Sequence, residues 1–432
     1  MSALCIFNGT VLTMDPEQPS LAKGRVIIND GLITRVEPDA GPPPAGARTL
    51  DAAGGIIMPG LINSHTHAAM TLFRGLADDL PLQEWLEKHI FPAERSLTGP
   101  AVFKGALLAA AEMIKNGVTS FCDMYLFAPE VARAADLAGL RAVVGEVIYD
   151  FPSPGYGELA NGFRVTEELI TRYRGHPRIT GAVMPHALYT CSPSLLERAA
   201  AMAEAAGADV NIHLAENRAE TNQIMELYGK RPLDHLESLG LLNRRLWLDH
   251  GVDLTQGEIE RLAQAGARVA HCPESNMKLA SGIAPLPALL AAGVPVGLGT
   301  DGCASNNDLD IFGEMDTCAK LHKVATGDPT VASAREVLAM ATSMGGVAFG
   351  QPGLGVLKPG SPGDVIVIDT NQPHLTPMYD PASHLVYAAR GGDVKHTVCH
   401  GQVLMADRQL ATLDENEVLA KAAEAARALT GA

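Results

Sequence analysis

The stretch Pro59-Gly-Leu-Ile-Asn-Ser-His-Thr-His67 is a short apolar segment that ends in two histidines separated by one residue. In a β-strand, residues i and i+2 point to the same face, so the pattern predicts that His65 and His67 lie side by side at a strand end. Two neighbouring imidazoles can bind a divalent transition metal. An isolated His-x-His also arises by chance. A metal site therefore requires further ligands from elsewhere in the chain.

The composition is that of a globular protein with a large core, with 47% hydrophobic and 19% charged residues in a chain of 432. No apolar run is long enough to span a bilayer, and residues 1–15 lack the pattern of a signal peptide. Seven scattered cysteines without a Cys-x-x-Cys predict reduced thiols in the cytoplasm. A net charge of -16 argues against nucleic-acid binding. We therefore expect a small-molecule substrate, no membrane partner and a homo-oligomer.

Apolar strand candidates alternate with segments of helical composition through the middle of the chain. They lie at 60–65, 118–124, 141–149, 179–185, 209–214, 246–250, 268–272 and 295–300. Eight β-then-α units predict an α/β protein with a (β/α)8 TIM barrel. The competing α/β architecture is a doubly wound open sheet. It lacks support because no Gly-x-Gly-x-x-Gly follows an early strand.

Short strand candidates separated by turns occupy the N-terminal segment, and a similar pattern returns near the other end. Asn29-Asp-Gly31 is typical of a hairpin turn. We predict that residues 1–58 and 359–412 form one small β-sandwich domain built from both termini. Residues 59–358 would form the barrel and 413–432 a C-terminal helix. Two unrelated β caps are the alternative.

Ionisable residues concentrate at the predicted C-terminal ends of the barrel strands, where catalytic residues lie in this architecture. These residues are His65 and His67 after strand 1, His186 after strand 4, His213 and Glu216 after strand 5, His250 after strand 6 and Asp301 after strand 8. Five sets at matching positions can converge on one point. Three imidazoles (His65, His67, His213) and the Asp301 carboxylate suit Zn²⁺ or Fe²⁺.

Such a metal would lower the pKa of a bound water and generate hydroxide near neutral pH. We expect His250 and Asp301 to orient that water and accept its proton. Glu216 is the candidate general acid–base, and a solvated loop carboxylate is its alternative interpretation. Two-metal members of this architecture use a carboxylated strand-4 lysine as a bridge. Strand 4 contains no lysine here, so we predict one metal.

Longer motifs resemble the amidohydrolase superfamily and, more narrowly, the 5-methylthioadenosine/S-adenosylhomocysteine deaminases, over essentially the whole chain. The His-x-His and the Asp after strand 8 indicate only the superfamily. The narrower motifs are His89-Ile-Phe-Pro-Ala-Glu94, His186-Ala-Leu-Tyr-Thr-Cys-Ser192, His271-Cys-Pro-Glu-Ser-Asn-Met-Lys-Leu-Ala-Ser-Gly-Ile-Ala-Pro285 and Gly299-Thr-Asp-Gly-Cys-Ala-Ser-Asn-Asn-Asp-Leu-Asp310.

The resemblance implies hydrolytic deamination of the adenine ring of adenosine-type nucleosides, with one divalent metal, Zn or alternatively Fe. Glu216 would protonate a ring nitrogen while hydroxide attacks C6 and ammonia leaves. By the same resemblance, Glu94 accepts hydrogen bonds from the ribose hydroxyls and His186 contacts the substrate. Trp85 packs on the ligand, or it is a core or lid residue. The alternative interpretation of Glu94 is a helix-surface acid.

One departure concerns the 5' substituent of the nucleoside. Members that take S-adenosylhomocysteine are expected to carry an arginine after strand 3, and the segment 145–154 has none. Arg164 in the following segment is a candidate substitute. His271, near the end of strand 7, is a candidate for substrate contact or for a structural role. Glu274 occupies a position where the family often has a small polar residue.

Other functions share parts of this pattern. A deaminase of free bases or triazines would use the same metal ligands without needing Glu94. Hydrolysis of a cyclic amide is disfavoured in its two-metal forms by the missing lysine. An inactive scaffold would have lost ligands, and none is missing here. A nucleic-acid-editing zinc deaminase would carry Pro-Cys-x-x-Cys, which is absent.

Overall fold

The computed structural model describes residues 3–80 and 82–430, and the chain begins with five strands. These are β1 (Leu4–Leu12), β2 (Ser20–Asn29), β3 (Leu32–Pro38), β4 (Arg48–Asp51) and β5 (Ile56–Pro59). β1, β2 and β3 pair antiparallel. Between β2 and β3, Asp30 and Gly31 have φ of 48° and 82°. Two positive φ angles are what a type I′ turn requires, so the predicted hairpin is confirmed.

Parallel strands follow in the middle of the chain. They are β6 (Leu61–Thr66), β7 (Val118–Tyr125), β8 (Arg141–Ile148), β9 (Ile179–Gly181), β10 (Met184–Pro185), β11 (Val210–Leu214), β12 (Leu246–His250), β13 (Arg268–His271) and β14 (Val296–Leu298). They match the predicted strand segments, except that the fourth segment is divided into β9 and β10. The protein is therefore a mixed α/β protein with parallel sheets, as the alternating sequence pattern predicts.

The parallel strands form two sheets that are linked by isolated bridges. One sheet has the order β10-β8-β7-β6, with β9 also paired to β8, and the other has the order β11-β12-β13-β14. Parallel bridges join Val183 to Val210 and Ala187 to His213 at one junction, and Thr66 to Asp301 at the other. The C-terminal ends of all these strands therefore lie on the same side of the molecule.

The remaining strands are β15 (Pro352–Gly355), β16 (Val365–Ile368), β17 (Val394–Cys399), β18 (Gln402–Ala406) and β19 (Gln409–Leu410). The last four of these, β16 to β19, return to the N-terminal sheet. β16 pairs antiparallel with β5, giving the strand order β19-β18-β17-β16-β5-β1-β2-β3 with β4 beside β1. Strands from both ends of the chain thus share one nine-stranded sheet, called the terminal sheet below.

Helices connect the strands. They are α1 (Leu82–Trp85), α2 (Phe91–Glu94), α3 (Gly99–Lys115), α4 (Ala128–Ala138), α5 (Leu159–Arg172), α6 (Pro193–Ala206), α7 (Arg218–Tyr228), α8 (Pro232–Ser238), α9 (Gln256–Ala265), α10 (Pro273–Lys278), α11 (Leu286–Ala291), α12 (Ile311–Thr326), α13 (Ala334–Met340), α14 (Ser343–Ala348), α15 (Pro381–Tyr387) and α16 (Glu415–Thr430). A π-helical turn, Leu86–Ile90, separates α1 from α2. Within the described ranges, no single helix is long and apolar enough to cross a membrane. Two consecutive helical segments, 86–94 and 99–115, meet the length and hydropathy criteria only when taken together, and they are bent by 109° relative to each other.

Buried apolar residues form two clusters. Every residue of β7 and β8 is buried, which is typical of parallel strands covered on both faces. A smaller separate cluster lies in the terminal sheet and includes Ile6, Ile28, Ile57 and Val367. All seven cysteines are buried and carry free thiols.

A buried ion pair joins β8 to the terminal sheet. Nε and Nη2 of Arg141 donate to the two carboxylate oxygens of Asp364 at 2.9 and 3.1 Å. Nη1 of Arg141 donates to the Pro177 carbonyl oxygen at 2.9 Å. Asp364 also accepts a hydrogen bond from the backbone N–H of His400, at 2.7 Å. Removing one partner would leave the other charge buried and unpaired.

We therefore predict that Asp364→Ala lowers the free energy of unfolding by about 3 to 5 kcal/mol, the typical cost of breaking a buried pair. Urea unfolding followed by circular dichroism measures this change. The matched control is Glu168→Ala, which removes an exposed partner of Arg164 within α5. That control should change the free energy by less than about 1 kcal/mol. Equal effects of the two substitutions would contradict the proposed contribution of the buried pair.

Candidate metal centre and active site

His65 and His67 place their imidazoles at the C-terminal end of β6. The two ring centroids are 4.8 Å apart. His65 is fully buried, and His67 is partly buried just beyond the strand. Nδ1 of His67 donates to the Met124 carbonyl oxygen on β7 at 2.5 Å, which fixes the ring and leaves Nε2 for other partners.

His213 from β11 and Asp301 from the segment after β14 meet this pair. Nε2 of His67 lies 3.3 Å from Nε2 of His213 and 3.2 Å from Oδ1 of Asp301. Nε2 of His65 lies 3.4 Å from the same Asp301 oxygen. Three imidazole nitrogens and one carboxylate oxygen thus surround one point. This is a donor set of the kind that Zn²⁺ binds in proteins.

The electrostatics of this cluster fit a bound cation. Burial lowers the pKa of His65, but the carboxylates of Asp249 and Asp301 outweigh burial and raise it to about 10. Burial raises the pKa of Asp301, yet the adjacent His65 and His67 hold it well below its usual value. The two carboxylates therefore favour a positive charge at this cluster, and the buried Nε2 of His65 forms no hydrogen bond with the described residues. A divalent metal would supply that charge and give the nitrogen a partner.

The histidines are oriented by contacts to their other ring nitrogens. Nδ1 of His65 lies 3.1 Å from Oδ2 of Asp249, and both side chains are fully buried. Nδ1 of His213 donates to the His186 carbonyl oxygen at 2.8 Å. Metal-binding histidines typically use the second nitrogen in this way, which fixes the tautomer and the ring orientation. Asp249 is in turn held by the Asn211 amide, which donates to Oδ1 at 2.9 Å.

Asp301 is held on the side away from the histidines. Oδ2 accepts hydrogen bonds from the hydroxyls of Ser275 at 2.7 Å and Ser305 at 3.0 Å. Oδ1 accepts from the backbone N–H of Gly302 at 2.8 Å and is the oxygen nearest His65 and His67. The carboxylate therefore has a fixed orientation with one oxygen toward the imidazoles.

Backbone strain concentrates at this end of the strands. Ala215, His250 and Asp301 have φ of 51°, 69° and 62°. Such a conformation costs a non-glycine residue about 1 to 3 kcal/mol, and it persists where the surrounding structure enforces it, often at functional sites. Each of the three residues lies at or just after the end of a parallel strand. The strain therefore supports a functional site at this end of the molecule.

His250 and Glu216 lie beside the cluster. The His250 ring stacks on His213 with centroids 5.5 Å apart, and its Nδ1 contacts Oδ1 of Asn276 at 2.9 Å. Glu216 is buried, and its backbone N–H donates to Glu220 at 2.8 Å. Burial raises the pKa of the Glu216 carboxyl. A carboxyl with a raised pKa is suited to carry a proton near neutral pH.

A cleft opens onto these groups. Its lining contains His67, Trp85, Glu94, His186, His213, Glu216, His250 and Asp301, together with Leu86, Phe91, Tyr125, Tyr149, Tyr189 and Leu279. The site residues predicted at the strand ends, with Glu94 and Trp85, therefore line this cleft, except the deeply buried His65. A concave cleft with apolar and aromatic walls and a few convergent polar groups is typical of a small-molecule site.

Glu94 and His186 lie on the wall of this cleft. Burial raises the pKa of Glu94 to about 7, against smaller opposing effects of Tyr125 and His67. Burial, with His67 nearby, lowers the pKa of His186 to about 3. Nδ1 of His186 contacts the Thr190 hydroxyl at 2.9 Å. His186 is therefore a neutral imidazole near neutral pH.

Three residues considered from the sequence do not line the cleft. Arg164 is exposed on α5 and pairs with Glu168 at 2.7 Å. His271 is buried, with Nε2 3.0 Å from Nε2 of His322 on α12. Glu274 accepts a hydrogen bond from the Thr317 hydroxyl at 2.7 Å. Arg164 is therefore not positioned to replace an arginine after β8.

Comparison with known proteins agrees with this geometry. Residues 56–404 match the model of the Amidohydrolase family. The chain belongs to the amidohydrolase family.

Two curated relatives match this amidohydrolase over nearly their full lengths. It is 56% identical to a 5-methylthioadenosine/S-adenosylhomocysteine deaminase of Syntrophobacter fumaroxidans, over 99% of this chain and 98% of the relative. It is 46% identical to a 5'-deoxyadenosine deaminase of Methanosarcina mazei, over 99% of each chain. The family resemblance inferred from the sequence motifs is thereby confirmed.

One solved structure is similar throughout. An adenosine deaminase from Xanthomonas campestris with bound zinc superposes with a TM-score of 0.96 at 38% identity, covering 100% of this chain and 99% of that one. That neighbour holds zinc, and together with the imidazole and carboxylate cluster of this amidohydrolase this supports a divalent metal here.

Sequence reasoning did not assign the groups that support the site of this amidohydrolase. Asp249, Asn276 and Ser275 contact His65, His250 and Asp301 respectively, but none lines the cleft. Asp249 carried the clearest sequence indication, because a carboxylate next to a predicted site histidine lies in an otherwise apolar strand.

We predict that Asp249→Asn weakens metal binding about 10- to 100-fold, the usual effect of losing such a support. The amide keeps the shape but removes the charge that faces His65. Competition with a chelator measures the metal affinity. The control is Asp393→Asn, which alters another Asp–His contact, 2.9 Å from His374. An unchanged affinity in Asp249→Asn, or equal losses in both variants, would contradict the assigned support.

Proposed function

We propose that this amidohydrolase hydrolyses the 6-amino group of adenosine-type nucleosides, giving the inosine-type product and ammonia. The observation that carries the proposal is the single cleft that contains Glu94 and Glu216 together with His67, His213 and Asp301. A metal-binding donor set supplies hydrolysis, and the Glu94 carboxylate in the same cleft supplies a partner for ribose hydroxyls. The relatives named for 5-methylthioadenosine, S-adenosylhomocysteine and 5'-deoxyadenosine deamination agree with this substrate class.

We infer that His65, His67, His213 and Asp301 hold one divalent metal. When bound, the metal supplies Lewis-acid activation of water. Zn²⁺ is the preferred candidate because the donor set is imidazole and carboxylate, and Fe²⁺ is the alternative. The fourth parallel segment, β9 and β10, contains no lysine to bridge a second metal. The proposed stoichiometry is therefore one metal per subunit.

The proton steps are assigned to side chains of the cleft. We propose that Glu216 donates its proton to a purine ring nitrogen as water adds at C6. His250 and Asp301 orient the attacking water, and Asp301 accepts its proton. Asp301 then passes that proton to the nitrogen of the 6-amino group, which leaves as ammonia. The proton of the new C6 hydroxyl returns to Glu216, so that both carboxyls regain their starting state. Neutral His186 is placed to hydrogen-bond the substrate.

Substrate orientation follows from the two ends of the cleft. Glu216 lies beside the metal cluster and contacts the base, whereas Glu94 on α2 receives the ribose hydroxyls. Trp85 is buried on α1 and lines the same cleft, which supports a packing contact with the ligand. A deaminase of free bases would have no need for Glu94, so this carboxylate favours a nucleoside.

The architecture proposed around this site is the (β/α)8 barrel of residues 59–358. The isolated bridges at both junctions of the parallel sheets support closure. We propose that 1–58 and 359–412 form the small sandwich domain, supported by the separate hydrophobic cluster of the terminal sheet, and that 413–432 form the terminal helix. We also propose a cytoplasmic homo-oligomer, which size-exclusion chromatography with light scattering would test.

The metal-loaded protein should release ammonia from 5'-methylthioadenosine and 5'-deoxyadenosine, with the absorbance of adenine changing to that of hypoxanthine. Chelation should abolish turnover, and added Zn²⁺ should restore it. Guanine and cytosine serve as the free-base controls. Turnover of a free base without turnover of any nucleoside would overturn the proposed function.

Replacing Glu94 by Ala should raise KM for nucleosides about 10- to 100-fold, because hydrogen bonds to a charged group are lost. The effect on kcat should be smaller, since Glu94 is assigned to the ribose and not to the reacting carbon. Steady-state kinetics separate the two constants. Glu84→Ala is the control, because Glu84 pairs with Lys88 at 2.9 Å and does not line the cleft. An unchanged KM in Glu94→Ala would remove Glu94 from the ribose site.

A further inference from the structure

The wall of the cleft beside Glu94 is aromatic. Tyr149 lines the cleft and stacks on Phe151, with ring centroids 3.9 Å apart and planes at 16°. Phe91, three residues before Glu94, also lines the cleft and contacts Phe151 edge to face at 6.3 Å. We call Phe91, Tyr149 and Phe151 the aromatic wall. These rings occupy the segment after β8 and the helix that carries Glu94.

The position of the aromatic wall is at the ribose end of the cleft. Tyr149 contacts His186 edge to face, with centroids 6.3 Å apart. Tyr149 and Glu94 line the same cleft, and the Glu94 carboxylate adds to the burial that raises the pKa of the Tyr149 hydroxyl. If Glu94 receives the 2' and 3' hydroxyls, the 5' substituent of the nucleoside extends along these rings.

Charge near the aromatic wall disfavours an anion. Among the residues the structure describes, no lysine or arginine lines the cleft, whereas Glu94, Glu216 and Asp301 do. The outer groove beyond the cleft has two cations, Arg218 and Lys278. Lys278 is bound to Asp78 and Asn307, and Arg218 begins α7, two residues after Glu216.

We propose that the aromatic wall selects nucleosides with an apolar or thioether 5' substituent over those whose 5' arm ends in a carboxylate. This inference rests on the proposed nucleoside deamination and specifies its substrate class. Thioether sulfur and methyl groups make favourable contacts with aromatic rings. A carboxylate at the same place would lose hydration without gaining a cationic partner.

The test compares two synthetic substrates with arms of matched length. In 5'-butylthio-5'-deoxyadenosine the arm ends in a methyl group, and in 5'-(3-carboxypropylthio)-5'-deoxyadenosine it ends in a carboxylate. For the unaltered protein, kcat/KM should be at least about tenfold higher for the butylthio compound, a difference that pocket contacts of this kind can supply. S-adenosylhomocysteine should likewise be slower than 5'-methylthioadenosine. Equal kcat/KM for the matched pair would overturn the inference.

A variant pair tests whether the wall itself causes the preference. Phe151 is 41% exposed, so a polar side chain is tolerated there. Phe151→Arg adds a guanidinium beside Phe91 and Tyr149, and Phe151→Gln is the uncharged control. The ratio of kcat/KM for the matched pair should fall about tenfold more in the Arg variant than in the Gln variant, because only the guanidinium pairs with the carboxylate. The same ratio in both variants would overturn the role of the wall.

These outcomes separate the two proposals. Activity on the butylthio compound shows that the nucleoside site operates whatever the preference. Absence of activity on every nucleoside, with or without activity on free bases, would overturn the proposed function itself. Deamination of the two matched substrates with equal kcat/KM would leave the function intact. It would reject only the selection by the aromatic wall.

Discussion

The structure depends on bringing three imidazoles and a carboxylate together where little water can reach them. Oδ1 of Asp301 lies 3.4 Å from Nε2 of His65 and 3.2 Å from Nε2 of His67. Nε2 of His67 in turn lies 3.3 Å from Nε2 of His213. The carboxylates of Asp249 and Asp301 favour a positive charge at the centre of this cluster, which a bound divalent metal would provide. The surrounding contacts resist relaxation: the Asp249 carboxylate, two backbone carbonyls and two serine hydroxyls each fix one ligand from behind.

The fold meets this constraint with rigid parallel strands whose ends lie on one side. Ligands at the ends of β6 and β11, and after β14, are far apart in sequence but meet because neighbouring strands are in register. Backbone strain at His250 and Asp301 is sustained by fully buried strands beneath them. The wall that contains Glu94 and the aromatic rings does not come from strand ends. It comes from the helical connection after β6 and the segment after β8. In the function proposed above, chemistry and substrate selection thus lie on separate elements.

Much of this was predictable because apolar runs and ligand types are local properties. The parallel strand segments followed from alternation, and the histidines were recognised because imidazoles recur at strand ends. The division of the fourth segment into β9 and β10 was not predicted, although Gly181 lies directly before the break at Ala182 and Val183 and an isolated glycine in a strand pattern can mark such an irregularity. Supporting groups such as Asn276 were missed because a buried amide has no distinctive sequence context. The aromatic wall required three-dimensional contacts between rings 60 residues apart in sequence, at Phe91 and Phe151.

The most direct measurement is anomalous diffraction at the zinc edge from crystals of the metal-loaded protein. The account predicts one anomalous peak per chain, about 2.0 to 2.2 Å from nitrogen atoms of His65, His67 and His213 and from an oxygen of Asp301. No second peak should lie beside β9 and β10, the fourth parallel segment. A single peak bonded to other residues, or two peaks in the cleft, would contradict the mononuclear centre on which the proposed chemistry rests.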